Sequence, residues 1–322
     1  MNSSISNSNR LFASYVTAFA VVLVSLVGAT EWLIRSQVVP EDALYKHVAL
    51  FDATTSTQLA LGDSHVARGF NPSGTVINLA YPSENIEKMT WKMGQYLDAQ
   101  PALDTVLLQA DPHLFSAYRT NAGLGDYPRI FSDRNLSGLL SMSETYRPRL
   151  IALWQAFFLN KGALRAKVEP TATGGLLSPG DLSQWNDQRI DLFMDARLRY
   201  HAPPEDFKTS DVKQQYEQLI VQLIKSGAQV CLVSFPVSTA YSERIAGYDG
   251  HEAVQWQLIN TFFKDLAAHP SIAYFDHRSL YDNPALFRDP DHLNKKGALL
   301  YSTYLQDACF GSEPHYVAGK AE

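Results

Sequence analysis

Cysteine is scarce in this chain: two of 322 residues, Cys231 and Cys309. Neither has a second cysteine close by in sequence, which excludes a CxxC zinc or redox site. The count permits one disulfide and does not imply it. Cys231 lies in an apolar run, so a buried core thiol is the expectation there. Basic clusters are missing too. Lys and Arg number 27 against 33 Asp and Glu, a formal charge of −6, so nucleic acid is not an expected partner. There is no internal repeat, and the only low-complexity run is the polar Asn/Ser-rich stretch 1–9. Long hydrophobic runs are confined to one place, just after that stretch.

That run extends from Leu11 to Ile34 with Glu31 as its one charge. About 20 apolar residues cross a bilayer core as a helix, and Trp32 and Arg35 suit the far interface. The run reads as a transmembrane anchor. A cleaved signal peptide is the competing reading, with Val27-Gly28-Ala29 as its cleavage pattern, and a buried core helix is the third. Anchor and signal peptide both send the remainder across a membrane. Arg10 and Arg35 balance, so flanking charge does not set the orientation.

Residues 1–10 then form a tail, 11–34 the anchor and 35–55 a connector. The composition, 46% hydrophobic and 19% charged, is ordinary for a globular domain, expected over 56–312 with a tail at 313–322. Short apolar strands are expected at about 57–62, 76–80, 104–109, 229–235 and 272–275. Helices are expected from Ser83 (as N-cap) to about Leu97, Asp211–Lys225, His251 to about Ala267, and Lys295 to about Asp307. This alternation implies an α/β fold with a mainly parallel sheet covered on both faces. Residues 114–205 lack a strong strand; Leu150–Phe158 is their clearest helical piece. They read as a helical insertion or lid over the mouth of the sheet.

The chemistry centres on the first strand, which ends abruptly in Gly62-Asp63-Ser64-His65. Ligands bind at the carboxyl ends of strands in α/β sheets. A serine hydroxyl becomes a nucleophile when a histidine takes its proton and a carboxylate orients that histidine. Asp289-Pro290-Asp291-His292 lies just before the last helix, where the loop leaving the last strand returns to the same sheet edge. His292 is the expected base and Asp289 its orienting partner, with Asp291 as a fallback. His65 is adjacent to Ser64 but would point away from it. Asp111 and His113 end the third strand. With His292 they could suggest a metal cluster, but no third ligand stands at diagnostic spacing, and the expectation is neither metal nor other cofactor. Their simpler role is capping the turn after the strand. Arg68 and Arg119 suit either an anionic sugar or surface acids. Phe115, Tyr118, Tyr127, Trp154 and Trp185 could stack on sugar rings, although core packing is the usual fate of such residues.

Gly62-Asp63-Ser64 early and Asp289-x-x-His292 late resemble the SGNH (GDSL) hydrolase superfamily. The resemblance implies a flavodoxin-like three-layer sandwich, ester cleavage or transfer, Ser64 as nucleophile, His292 as base and Asp289 as orienter. The Ser64 N–H would form part of the oxyanion hole. Two family features are absent. The block after strand 76–80 reads Leu79-Ala80-Tyr81-Pro82 without its usual glycine. The block after strand 104–109 reads Gln109-Ala110-Asp111-Pro112 without its usual asparagine. Candidate substitutes at the oxyanion or substrate are the N–H of Ala80 or Tyr81 and the side chains of Gln109, Arg68 and Asp111. With the N-terminal run, the layout is similar to the anchored extracytoplasmic SGNH-like proteins of polymer O-acylation, in teichoic-acid D-alanylation and alginate acetylation. That implies a carbohydrate polymer substrate, a membrane-bound O-acyltransferase partner, and a single-pass inner-membrane protein with a periplasmic catalytic domain. The alternatives are an inactive SGNH scaffold that binds a glycan or that acyltransferase, and a cytosolic esterase with 11–34 internal.

Overall fold

The computed structural model describes residues 3–100, 102–120, 122–125, 127–132 and 169–311, with positions 139, 151 and 155 between. The chain divides into two compact units, Met1–Val48 with Pro128–Ala166, and Ala49–Tyr127 with Lys167–Glu322.

In the first unit, α1 (Ser3–Leu33) takes up the apolar run as far as Leu33. The helical stretch Arg10–Gln37 contains an 18-residue window of mean hydropathy 2.2 and is long and apolar enough to cross a membrane. Glu31, the lone acid of that run, pairs with Arg35 one turn on, at 2.7 Å. A single π-helical turn, Ile34–Val38, follows, and the division between the units falls within α2 (Ala43–Ala53).

The second unit is an α/β three-layer sandwich. Its elements in chain order are β1 (Gln58–Leu61), α3 (Ser64–Gly69), β2 (Ile77–Asn78), α4 (Ile86–Ala99), β3 (Thr105–Gln109) and the short α5 (Ala117–Thr120); of α6 (Tyr127–Ser132) only Tyr127 belongs to this unit. Then come β4 (Glu169–Pro170), β5 (Leu176–Leu177), α7 (Asp187–His201), α8 (Asp211–Lys225), β6 (Gln229–Ser234), α9 (Thr239–Ala246), α10 (Gly250–Leu266), β7 (Ile272–Asp276), β8 (Phe287–Asp289), β9 (His292–Leu293) and α11 (Lys295–Phe310). Five strands form one parallel sheet in the order β2-β1-β3-β6-β7. Their interiors are apolar on both faces, as a sheet covered on both sides requires. The order reverses beside β1, so the crevice at its carboxyl end is a topological switch point.

Two sequence expectations change here. The helix after β2 begins at Ile86, and its cap is Asn85, whose side chain accepts from Lys88 N at 2.9 Å. Ser83 does not cap: its φ of 68° is left-handed, so the chain is still turning there. The loop Thr171–Gly175 is the turn of a small antiparallel hairpin, β4–β5, where no strand was expected. Leu150–Phe158 lies largely outside the described residues.

Cys231 is not a free thiol. It is bonded to Cys309, with Cα atoms 5.8 Å apart and a sequence separation of 78. The bond ties β6 to the end of α11, the helix that follows the Asp289–His292 loop. The apolar run around Cys231 correctly indicated burial, but pairing depends on α11 folding back over the sheet. Closing a loop of this length stabilises by about 4 kcal/mol on the chain-entropy account. Replacing both cysteines by Ala is therefore expected to lower the unfolding free energy in urea by roughly that amount. A change near zero would show that the crosslink does not constrain the unfolded chain.

Candidate active site

Ser64 sits at the first position of α3, directly after β1. Gly62 makes that turn possible: a Cβ there would meet Val66 Cγ2 at 2.3 Å and Gln109 Oε1 at 2.7 Å. Asp63 is the N-cap and accepts from His65 N at 2.9 Å. Across the crevice, β8 and β9 form a tight antiparallel pair that carries Asp289 and His292. Two hydrogen bonds hold this loop from outside. Ser238 N donates to Pro290 O at 2.9 Å, and Asn294, which caps α11, donates through Nδ2 to Phe287 O at 3.3 Å.

The loop brings His292 Nε2 within 2.8 Å of Ser64 Oγ, and His292 Nδ1 within 2.8 Å of Asp289 Oδ1. With its proton on Nδ1, the imidazole donates to Asp289 and accepts from the serine hydroxyl. Asp291 is also close, with Oδ1 3.2 Å from the same Nδ1. Ser64, His292 and Asp289 stand where the sequence placed them, and the fallback orienter lies beside the first choice.

The proposed oxyanion donors fare differently. Ala80 N–H donates to Asn78 Oδ1 at 2.9 Å, and Tyr81 N–H to Gly62 O at 3.2 Å. Gln109 is fully buried and used at both ends: Oε1 accepts from Asp63 N at 2.6 Å and Nε2 donates to Asp111 Oδ2 at 2.7 Å. Asp111 is no turn cap and does not face substrate. It accepts from Phe235 N at 3.0 Å and lies 3.1 Å from His65 Nδ1. Ala80, Gln109 and Asp111 are therefore structural, because buried polar groups must be paired and these already are. Arg119 is buried and pairs with Asp63, so it is not available to a sugar. Arg68 alone remains without a described partner. The Ser64 N–H, at the first helical position, has no carbonyl within its own helix to donate to.

The aromatic candidates divide. Phe115 is core, against Phe207 and Tyr216. Tyr127 is buried and bonds Glu84, whose carboxylate also meets the fully buried Lys92 at 2.5 Å. Tyr118 is exposed, Trp185 holds Arg189 3.8 Å over its ring, and Trp154 lies outside the described residues.

Beneath the serine lies a buried charge network that residue types alone did not reveal. His65, His113, His201 and His292 are all buried. The His65 ring is 4.4 Å from His113 and 4.9 Å from His292, and His113 stacks on His201 at 4.4 Å. Burial alone would raise the Asp63 carboxyl, but the Arg119 guanidinium and His113 beside it hold it well below the usual carboxylate range. Burial works against a charged His65, yet Asp111, Asp291 and Asp63 push it up to about 10. His113 and His201 are pushed down by burial, with the neighbouring imidazole charges adding to it. Asp291, whose burial would raise it, is drawn well below its usual value by His292, His65 and Arg197. The Arg197 and His201 contributions carried one faint sequence signal, an i, i+4 pair on a single helix face.

Two trios, His65–Asp111–His113 and His65–Asp291–His292, each have ligand atoms within 4.8 Å of one another. An ion at either would displace the proton of His65, and at the second it would also draw His292 from Ser64.

No family model matches the chain, and no curated protein matches it. Among solved structures, it is similar to a protein from Streptococcus pneumonia described as a platelet activating factor, at 16% identity, covering 90% of this chain and 98% of that one with a TM-score of 0.38. It is also similar to a carbohydrate acetylesterase family member from Sinorhizobium meliloti, at 12% identity, covering 78% and 96% with a TM-score of 0.29. The chemistry of the site is read from its own residues.

A base with a raised folded pKa binds its proton more tightly when folded. The stability it confers is complete below its unfolded value and drains as pH rises through the folded one. For His65 that window runs from pH 6.5 to about 10. Unfolding free energy is expected to fall across this window in the wild type and to fall less in His65→Gln, as read from urea denaturation at a series of pH values. Parallel curves would show that His65 carries no buried charge.

Proposed function

We propose that this protein is a serine-dependent esterase or O-acyltransferase that works through an acyl-serine intermediate. The observation that carries this is the unbroken chain Ser64 Oγ–His292 Nε2, His292 Nδ1–Asp289 Oδ1, both links at 2.8 Å. Ser64 Oγ attacks the carbonyl carbon of an acyl ester and passes its proton to His292 Nε2. The imidazolium is stabilised by Asp289 and Asp291. Collapse of the tetrahedral intermediate breaks the ester bond, and the departing alcohol takes the proton from His292. A water or sugar hydroxyl then gives its proton to His292 and attacks the acyl-serine. The acyl group leaves with it, and Ser64 regains the proton. The Ser64 N–H is the one backbone donor of the expected set still free to face the oxyanion.

The substrate we favour is an O-acylated carbohydrate polymer outside the cytoplasm, with a membrane-bound O-acyltransferase as partner when the reaction is transfer. Two observations support this setting. A helix long and apolar enough to span a bilayer precedes the catalytic unit. The Cys231–Cys309 bond belongs to an oxidising compartment. A second reading, an inactive scaffold that binds a glycan or an acyltransferase, is favoured by the engagement of Ala80, Tyr81 and Gln109 elsewhere.

The test is covalent labelling of the detergent-solubilised full chain with a fluorophosphonate. The wild type is expected to label, and Ser64→Ala and His292→Ala to lose labelling. No labelling of folded wild type would favour the scaffold. On 4-nitrophenyl acetate, His292→Ala is expected to lower kcat/KM by about a thousandfold. Asp289→Asn is expected to lose less than the double change Asp289→Asn with Asp291→Asn, because either carboxylate reaches Nδ1. Equal losses would remove Asp291 from the mechanism.

A further inference from the structure

The carboxylates at and beneath the nucleophile are each matched by a cation. Asp63 has Arg119, and Asp111 has His65 at 3.1 Å. Asp289 has Arg288 at 2.9 Å, and Asp291 has Arg197 at 3.0 Å. After these pairings one cation is left. Arg68 makes no hydrogen bond and no ion pair within 4.0 Å among the described residues, and its Nε is buried without a partner. A partly buried guanidinium without a counter-ion is unfavourable, because it has lost water and gained no acceptor.

Its position adds meaning. Arg68 lies four residues after Ser64 on α3, so the two share a helix face. That helix packs against β9, which carries His292. Burial lowers the Arg68 guanidinium from its ordinary value, and the charges of Arg288 and Arg197 lower it further while Asp289 and Asp291 oppose them. The charges it feels are therefore those of the groups around His292, three guanidiniums counting Arg68 against two carboxylates, and the two acids are already held by His292 and by their own arginines. Only a side chain as rigid and as fully ionised as arginine would keep its charge in such company.

We propose that Arg68 forms an anion subsite next to Ser64, and that the substrate carries a carboxylate or phosphate close to the scissile ester. This deepens the esterase or acyltransferase reading and rests on it. A planar guanidinium donates to either anion in bidentate fashion. A neutral polymer would leave Arg68 unpaired in the complex, and an acidic one supplies the missing partner. The negative overall charge of the chain, −6, makes a local cationic pocket the feature that would select such a substrate.

The test compares esters that differ in the charge of the leaving group: methyl 4-acetoxybenzoate (neutral), 4-acetoxybenzoate and 4-acetoxyphenyl phosphate. The enzyme is the full chain in detergent. Wild type is expected to prefer at least one anionic ester by about tenfold or more in kcat/KM, mainly through KM. The larger of the two gains names the anion. Arg68→Gln is expected to remove the preference, and Arg68→Lys, which keeps the charge and most of the volume, to retain part of it. Added salt is expected to weaken the preference in wild type only. An equal rate on all three esters in wild type would overturn the proposal. So would an equal loss on all three in Arg68→Gln, which would make Arg68 an oxyanion donor or a packing residue. If wild type neither turns over an ester nor reacts with a fluorophosphonate, the enzyme reading fails, and the anion site is judged by thermal unfolding. Inorganic phosphate, at matched ionic strength, would then raise Tm of wild type and not of Arg68→Gln. Absence of that shift would overturn the site as well.

Discussion

A buried carboxylate, Asp63, is the constraint on which the site depends. It lies at the carboxyl end of β1, is fully inaccessible to water, and is ionised because Arg119 and His113 meet it. The same residue caps α3 and so fixes the direction in which the helix leaves the strand. Gln109 of the adjacent strand grips its backbone N–H. Ser64 is the next residue, and its orientation is inherited from these bonds. A serine on a free loop would lose rotational entropy on every approach to its base; here that loss is met by folding.

The base side is built by the same logic in a different material. His292 is carried by a tight strand pair, closed by Asn294 and by the bond from Ser238 to Pro290. The disulfide then pins the far end of α11 to the central sheet. Between the two halves stands His65. Its ring lies between Asp111, which follows β3, and Asp291, which belongs to the loop that carries His292. At 3.7 Å the second contact is electrostatic, a charge across the crevice rather than a hydrogen bond. The network therefore joins the strand that presents Ser64 to the loop that presents His292, with little water to screen it.

The α/β rhythm was legible because it is a local signal: strands such as Thr105–Gln109 are short apolar runs with sharp polar ends. Asp289-x-x-His292 is likewise a turn that can close on itself, whereas the approach of His292 to Ser64, 228 residues away, was expected from the sheet edge both motifs share. What escaped the sequence was which of the other polar groups are already paired. Gln109 ends a strand and reads as a free amide, yet its partners lie at positions 63 and 111. Ala80 reads as an open N–H until Asn78, two residues back, folds its side chain onto it. His65 was set aside because it could not reach Ser64. That was sound for a base, and it hid a role that needs two carboxylates far apart in the chain. Ser83 reads as an N-cap by residue type, and only its left-handed backbone moves the cap to Asn85.

The central claim is that folding alone sets Ser64 against His292 as an activated pair. The most direct measurement is the intact mass of the full chain quenched during turnover of 4-nitrophenyl acetate, followed by peptide mapping. An acetyl increment on the peptide carrying Ser64, formed by wild type and absent from His292→Ala, is the result this account predicts. Ester turnover with the increment on another residue, or with equal acetylation of the histidine variant, would contradict it.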